Sequence, residues 1–133
     1  MGASLASNTR VRMSTRRVLV VEDDHATQNL LKTLLHRDGF EPTIVANGAE
    51  ALEAIEESDF AVIVLDLMMP KVSGHDVIGV LQQRPSRPPI VVCTAAGTTA
   101  EAFEPGMVSA VIRKPFDIEE LSAAVLAAAN RSA

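Results

Sequence analysis

The sequence contains no Trp, no Tyr and only four Phe. A core built from it is therefore aliphatic, and the aromatic stacking platforms that hold single-stranded nucleic acid are not available to it. A single cysteine, Cys93, excludes an internal disulfide and fits a reducing cytoplasm. No apolar run approaches the roughly 20 residues that span a bilayer, so no membrane partner is expected. The first 17 residues lack the apolar stretch of a signal peptide. They also lack acids, carrying four Arg instead, which leaves the rest of the chain at −9 when the whole is at −5. We read residues 1–16 as a basic, disordered leader, with Met13 an alternative start to Met1. The remainder is acidic and shows no helix-turn-helix appendage, so this domain is not expected to bind nucleic acid.

What is present suits one domain: 133 residues, 47% hydrophobic and 22% charged. From residue 17 onward, apolar runs alternate with helical patterns, the signature of an α/β fold with a doubly wound parallel sheet. The runs at 17–21, 40–45, 60–65, 90–93 and 109–113 predict five strands. Residues 24–37 predict a helix with Leu30, Leu31, Leu34 and Leu35 on one stripe, ended by Asp38-Gly39. Further helices are predicted at 48–58, through Val77, Ile78 and Leu81, and at 117–130. The domain then covers 17–130, with a tail at 131–133. Between strands four and five, AAGTTAEAFEPGMV leaves room for one or two turns only, so the fourth helix is expected to be short or degenerate.

In an open parallel sheet, ligands bind beyond the carboxyl ends of the strands. Strand one delivers Glu22-Asp23-Asp24 there, strand three Asp66, strand four Thr94 and strand five Lys114-Pro115. Strand two offers only Asn47. Adjacent carboxylates repel unless a helix N-terminus, a lysine or a cation compensates. Hard oxygen donors of this kind suit Mg²⁺, which takes one or two carboxylates plus phosphate oxygens.

At these residues the chain resembles the receiver domain of bacterial two-component response regulators, of the stand-alone type. The matching parts are Glu22-Asp23, Asp66 in DLMMP, Gly74 four residues after Pro70, Thr94-Ala95, and Lys114-Pro115-Phe116. The resemblance implies a flavodoxin-like (βα)5 sheet of order 2-1-3-4-5. It implies Asp66 as phosphoacceptor from a phosphohistidine on a histidine kinase or phosphotransfer protein, and a downstream protein target that the sequence does not name. It implies Mg²⁺, replaceable by Mn²⁺, at Asp23, Asp66, the Met68 carbonyl and, through water, Glu22. Lys114 would pair with Asp66 at rest and with the phosphoryl oxygens afterwards. Thr94 and the Ala95 N–H would bind those oxygens too. A cis Lys114–Pro115 bond, which turns the lysine back over Asp66, is also implied.

Other readings of the same residues are plainer. Asp24 reads as a helix N-cap, Met68 and Met69 as loop packing, Cys93 as a buried small residue, and His25, His36 and His75 as surface. The chain also departs from the family. Val111 stands where an aromatic is usual, and the stretch from Thr94 to Lys114 is about two residues short. Two further functions compete: a receiver-shaped scaffold independent of phosphate, and a small hydrolase with Asp66 as nucleophile. The intact acids, Thr94 and Lys114 argue against the first. Met68, where that hydrolase family has a second Asp, argues against the second. The expectation is a signalling module rather than an enzyme, limited to its own phosphorylation and slow dephosphorylation. Slow loss follows from Met68 and Ala96, neither of which can hold an attacking water.

Overall fold

Successive residues of a strand face opposite sides of a sheet, and here the strand runs are apolar at both parities, so helices are needed on both faces. The computed structural model of the chain describes residues 16–69, 72–95 and 97–132. Among them lie β1 (Arg17–Val21), α1 (His25–Arg37), β2 (Glu41–Val45), α2 (Gly48–Glu57), β3 (Val62–Leu65) and α3 (Gly74–Gln82). Next come β4 (Ile90–Thr94), a 3₁₀ turn (Ala100–Ala102), β5 (Ala110–Arg113) and α4 (Ile118–Ser132). The strands pair in parallel in the order β2-β1-β3-β4-β5. This is the expected doubly wound sheet.

The two cores follow the strand parity. Val18, Val20, Val62, Val64, Val91 and Cys93 pack under α1 and α4, against Leu31, Leu34, Leu35, Leu121 and Val125. Leu19, Val21, Ile63, Leu65, Ile90 and Val92 pack under α2 and α3, against Ala51, Ile55, Val77, Ile78 and Leu81. Leu30 departs from the expected stripe and is 41% exposed. It sits about 100° around the helix from Leu31, and Leu31, Leu34 and Leu35 already fill the face over the sheet. Asp24 caps α1, accepting the Thr27 N–H at 2.8 Å, and Gly39 at φ +87° ends it.

The degenerate fourth helix is a single 3₁₀ turn followed by a tight reversal at Gly106, φ +83°. Met107, 4% exposed, and the half-buried Phe103 and Val108 fill the space against the α2/α3 face of the sheet. The last helix runs two residues beyond the expected end at residue 130, to Ser132. Of the predicted leader, only Arg16 lies within the described residues; its guanidinium stacks 4.4 Å from the Phe40 ring centroid. No helix among the described residues is long and apolar enough to cross a membrane.

Candidate functional site

Parallel strands end at one edge, so β1, β3, β4 and β5 bring Glu22, Asp66, Thr94 and Lys114 together there. The ladders extend into the crevice: the Asp66 N–H donates to the Val21 carbonyl at 3.0 Å, and the Lys114 N–H to the Thr94 carbonyl at 3.0 Å. Glu22 is 2% exposed, Asp66 6% and Thr94 fully buried, while Asp23 is exposed at the mouth. Carboxylate oxygens of Glu22, Asp23 and Asp66 lie within 4.8 Å of one another. A compact set of hard oxygen donors, two buried and one open to solvent, fits a divalent cation that keeps part of its water shell.

The opening triad of acids divides three ways. Asp24 belongs to the helix, where hydrogen bonds from Thr27 hold its carboxyl below the usual range. Asp23 faces solvent. Glu22 accepts the Asp24 N–H at 3.0 Å and the Lys114 ammonium at 2.5 Å. Burial pushes Glu22 up from the ordinary carboxylate range despite that partner. Lys114 is pulled down by burial, but its hydrogen bond to Glu22 and the charges of Glu22 and Asp66 more than offset this, leaving it raised.

The lysine makes the expected pair with Asp66 and has a second, nearer partner. Lys114 Nζ is 2.5 Å from Glu22 Oε1 and 3.5 Å from Asp66 Oδ2, so its nearest partner at rest is Glu22. Glutamate reaches one methylene further than aspartate, and Asp66 Oδ1 is already engaged by the Met68 N–H at 3.0 Å. The Lys114–Pro115 bond is cis, as expected. Met68 follows Asp66 closely and its side chain is 65% exposed, standing at the rim rather than packing in a loop. Ala96 lies outside the described residues. Cys93 is buried one residue before Thr94, and burial pushes its thiol up to about 12.

Several residues that serve the site carry no obvious chemistry. Gly74 lets α3 start directly against Asp66: a Cβ there would lie 2.5 Å from the Asp66 carbonyl oxygen. Gln28 donates to the Glu22 carbonyl at 2.6 Å. Its place one turn into α1 was the available signal. His75, assigned to the surface, is exposed but stacks on Phe103, with centroids 6.1 Å apart and planes at 20°. Val111 lies opposite Val92 in the β4–β5 register and packs on the core.

Comparison with known proteins agrees with this geometry. The response regulator receiver domain family matches residues 18–126. The transcriptional regulatory protein YkoG of Bacillus subtilis is 32% identical over 90% of this chain and 54% of its own length. The sensory transduction protein RegX3 of Mycolicibacterium smegmatis is 37% identical over 87% of this chain and 51% of its own. This chain thus spans about half the length of these relatives. Among solved structures, a Francisella response-regulator receiver domain superposes with a TM-score of 0.81 at 29% identity, covering 90% of this chain and 100% of that one. The response regulator TrrA of Thermotoga maritima, determined in complex with Mg²⁺-BeF, gives 0.77 at 28% identity, covering 86% and 99%. The chain belongs to the response regulator receiver domain family, the signalling receivers of two-component systems.

Proposed function

We propose that Asp66 accepts a phosphoryl group from a phosphohistidine on a histidine kinase or phosphotransfer protein, and that the modification switches the binding of a downstream protein. The observation that carries this reading is the convergence of three carboxylates and one lysine on the edge where Asp66 sits. An Asp66 carboxylate oxygen attacks phosphorus as the P–N bond to the donor imidazole breaks and the imidazole leaves. Asp23, Asp66 and the Met68 carbonyl would hold Mg²⁺, with Glu22 reaching it through water; Mn²⁺ could replace it. That a similar receiver was determined with Mg²⁺-BeF supports the choice. Bound there, the metal offsets the repulsion between carboxylate and phosphoryl oxygens. Lys114 then moves its charge from Glu22 toward the phosphoryl oxygens, and Thr94 and the Ala95 N–H donate to them.

Acetyl phosphate with Mg²⁺, followed by intact mass, tests the assignment. One phosphoryl adduct is expected on the wild type and none on Asp66→Asn. An adduct of equal yield on Asp66→Asn would place the acceptor elsewhere.

The lifetime of the adduct is expected to be long. Hydrolysis needs a water held behind phosphorus, and the exposed Met68 side chain offers it no hydrogen bond of useful strength. Met68→Asn supplies one. A hydrogen bond worth about 1–1.5 kcal/mol corresponds to roughly tenfold faster loss of phosphate. Equal decay of wild type and variant, followed by mass after removal of the donor, would discard the argument.

The signal is proposed to leave through residues 97–105. A phosphoryl group carries roughly 1.5–2 negative charges where the carboxylate carried one, draws Thr94 inward and pulls on the segment that follows. Val111 is short and β-branched, with little rotamer freedom, and already packs on the core. The 3₁₀ turn buries none of its own residues, and Phe103 after it stacks on His75 and packs on the core, so the local stability of the turn is expected to be low. Hydrogen exchange with a beryllofluoride mimic is expected to change protection in 97–105. Changes confined to β5 and α4 would refute this route.

A further inference from the structure

The β2–α2 turn brings no acid to the crevice, yet it touches both loops that do. On one side the Val45 carbonyl accepts the Glu22 N–H at 3.1 Å. On the other, Gly48 is buried against Val72, in the chain between Asp66 and α3. A Cβ built on Gly48 would lie 2.5 Å from the Val72 carbonyl oxygen, 2.6 Å from its Cγ1 and 2.9 Å from its Cβ. Between these contacts the turn is braced. Asn47 accepts the Glu50 N–H at 2.9 Å, and the Glu50 carboxylate accepts the Ala46 N–H at 2.7 Å. Val72 itself packs on the α2/α3 core.

We infer that this turn sets the spacing between the Glu22-Asp23 loop and the Asp66–Met68 loop, with Gly48 as a positioning residue for the cation site. The inference rests on the metal role proposed for those acids. Gly48 does not have a positive φ, so its backbone tolerates any residue, and alanine is the better helix former. What forbids a side chain is the carbonyl of Val72. That carbonyl has little freedom to yield alone. The loop is tied at Asp66 to Val21 and at Gly74 to the Leu67 carbonyl, at 3.3 Å, and Ser73 is fixed by its capping box with Asp76. A methyl group at Gly48 therefore displaces Val72 and Ser73 on one side or, through Val45, Glu22 on the other. Mg²⁺ demands near-ideal octahedral geometry, so shifts of tenths of an ångström in its donors weaken it.

The test is Mg²⁺ affinity by calorimetry, with amide shifts of Glu22 and Met68 recorded on the metal-free protein. Gly48→Ala is expected to bind Mg²⁺ about tenfold more weakly, the scale for removing an outer-shell support, and to shift both amides. Gly79→Ala is the control, another helical glycine where a Cβ meets nothing within 4 Å; it is expected to match the wild type. If Gly48→Ala does not fold, Val72→Ala carries the test. It trims the contact from the other side and is expected to weaken Mg²⁺ and shift the Glu22 amide. A folded Gly48→Ala, or a Val72→Ala, with wild-type affinity and an unmoved Glu22 amide overturns the inference. A wild type with no Mg²⁺ response at Glu22, Asp23 and Met68 overturns instead the metal site on which it rests.

Discussion

Asp23→Ala is expected to lose the Mg²⁺ response of the crevice and, with it, phosphorylation from acetyl phosphate. Of the three clustered carboxylates, Asp23 is the one that faces solvent, so a hydrated cation meets it first. Removing even an outer-shell partner of a bound metal costs about 10–100-fold in affinity, so loss of a direct ligand should exceed the upper figure. The fold should not suffer. Asp23 neither caps α1, which is the work of Asp24, nor fills either core. With one repelling carboxylate gone, the melting temperature of the metal-free variant should be no lower than that of the wild type. The check is a Mg²⁺ titration followed by amide shifts of residues 22–24 and 66–68, beside a melt in chelator. A response in Asp23→Ala equal to the wild type would remove Asp23 from the site.

How much of this could be read from the chain depends on the range of the interaction. Strand parity is a local property, so the runs around Val18, Val62 and Val91 announced a sheet buried on both faces. Once the strands are parallel, every strand end falls at one edge, and Asp66 and Lys114 meet although 48 residues separate them. The weak fourth helix was equally legible, since glycine and proline act where they stand. What escaped was set by side-chain reach and by contact between distant backbones. Nothing in the sequence says that Lys114 sits nearer Glu22 than Asp66; that follows from the longer glutamate and from the Met68 N–H occupying one Asp66 oxygen. The abutment of Gly48 on Val72 depends on how the start of α2 meets the chain just before α3. Leu30 misled because four leucines in six positions cannot all face one sheet.

Lys114→Met is expected to destabilise the metal-free protein at neutral pH, and less so in acid. Methionine keeps much of the apolar stem, so the change removes charge and hydrogen bonds more than volume. It leaves Glu22 nearly inaccessible and without the ammonium that holds it at 2.5 Å. Breaking such a pair by removing one partner can cost ~3–5 kcal/mol, but Glu22 has an escape, which is to take up a proton. At about pH 7, protonating a carboxyl whose ordinary value is 4.5 costs roughly 3 kcal/mol, at ~1.4 kcal/mol per unit. This caps the penalty, and water at the half-buried lysine end of the crevice lowers it further, to about 2 kcal/mol. The sign of the pH dependence follows. Burial already raises Glu22 in the folded wild type, and removing Lys114 raises it more. The folded variant then holds a proton that the unfolded chain releases, so its stability deficit is largest above the folded value and shrinks as pH falls toward 4.5. Urea unfolding in chelator at pH 7 and pH 5 measures this. Glu22→Gln combined with Lys114→Met should recover most of the loss at pH 7 and show a smaller pH dependence, since neither charge of that pair remains. A Lys114→Met deficit that is the same at both pH values, or that persists in the double variant, would show that the lysine supports the fold by packing and that its pairing with Glu22 contributes nothing.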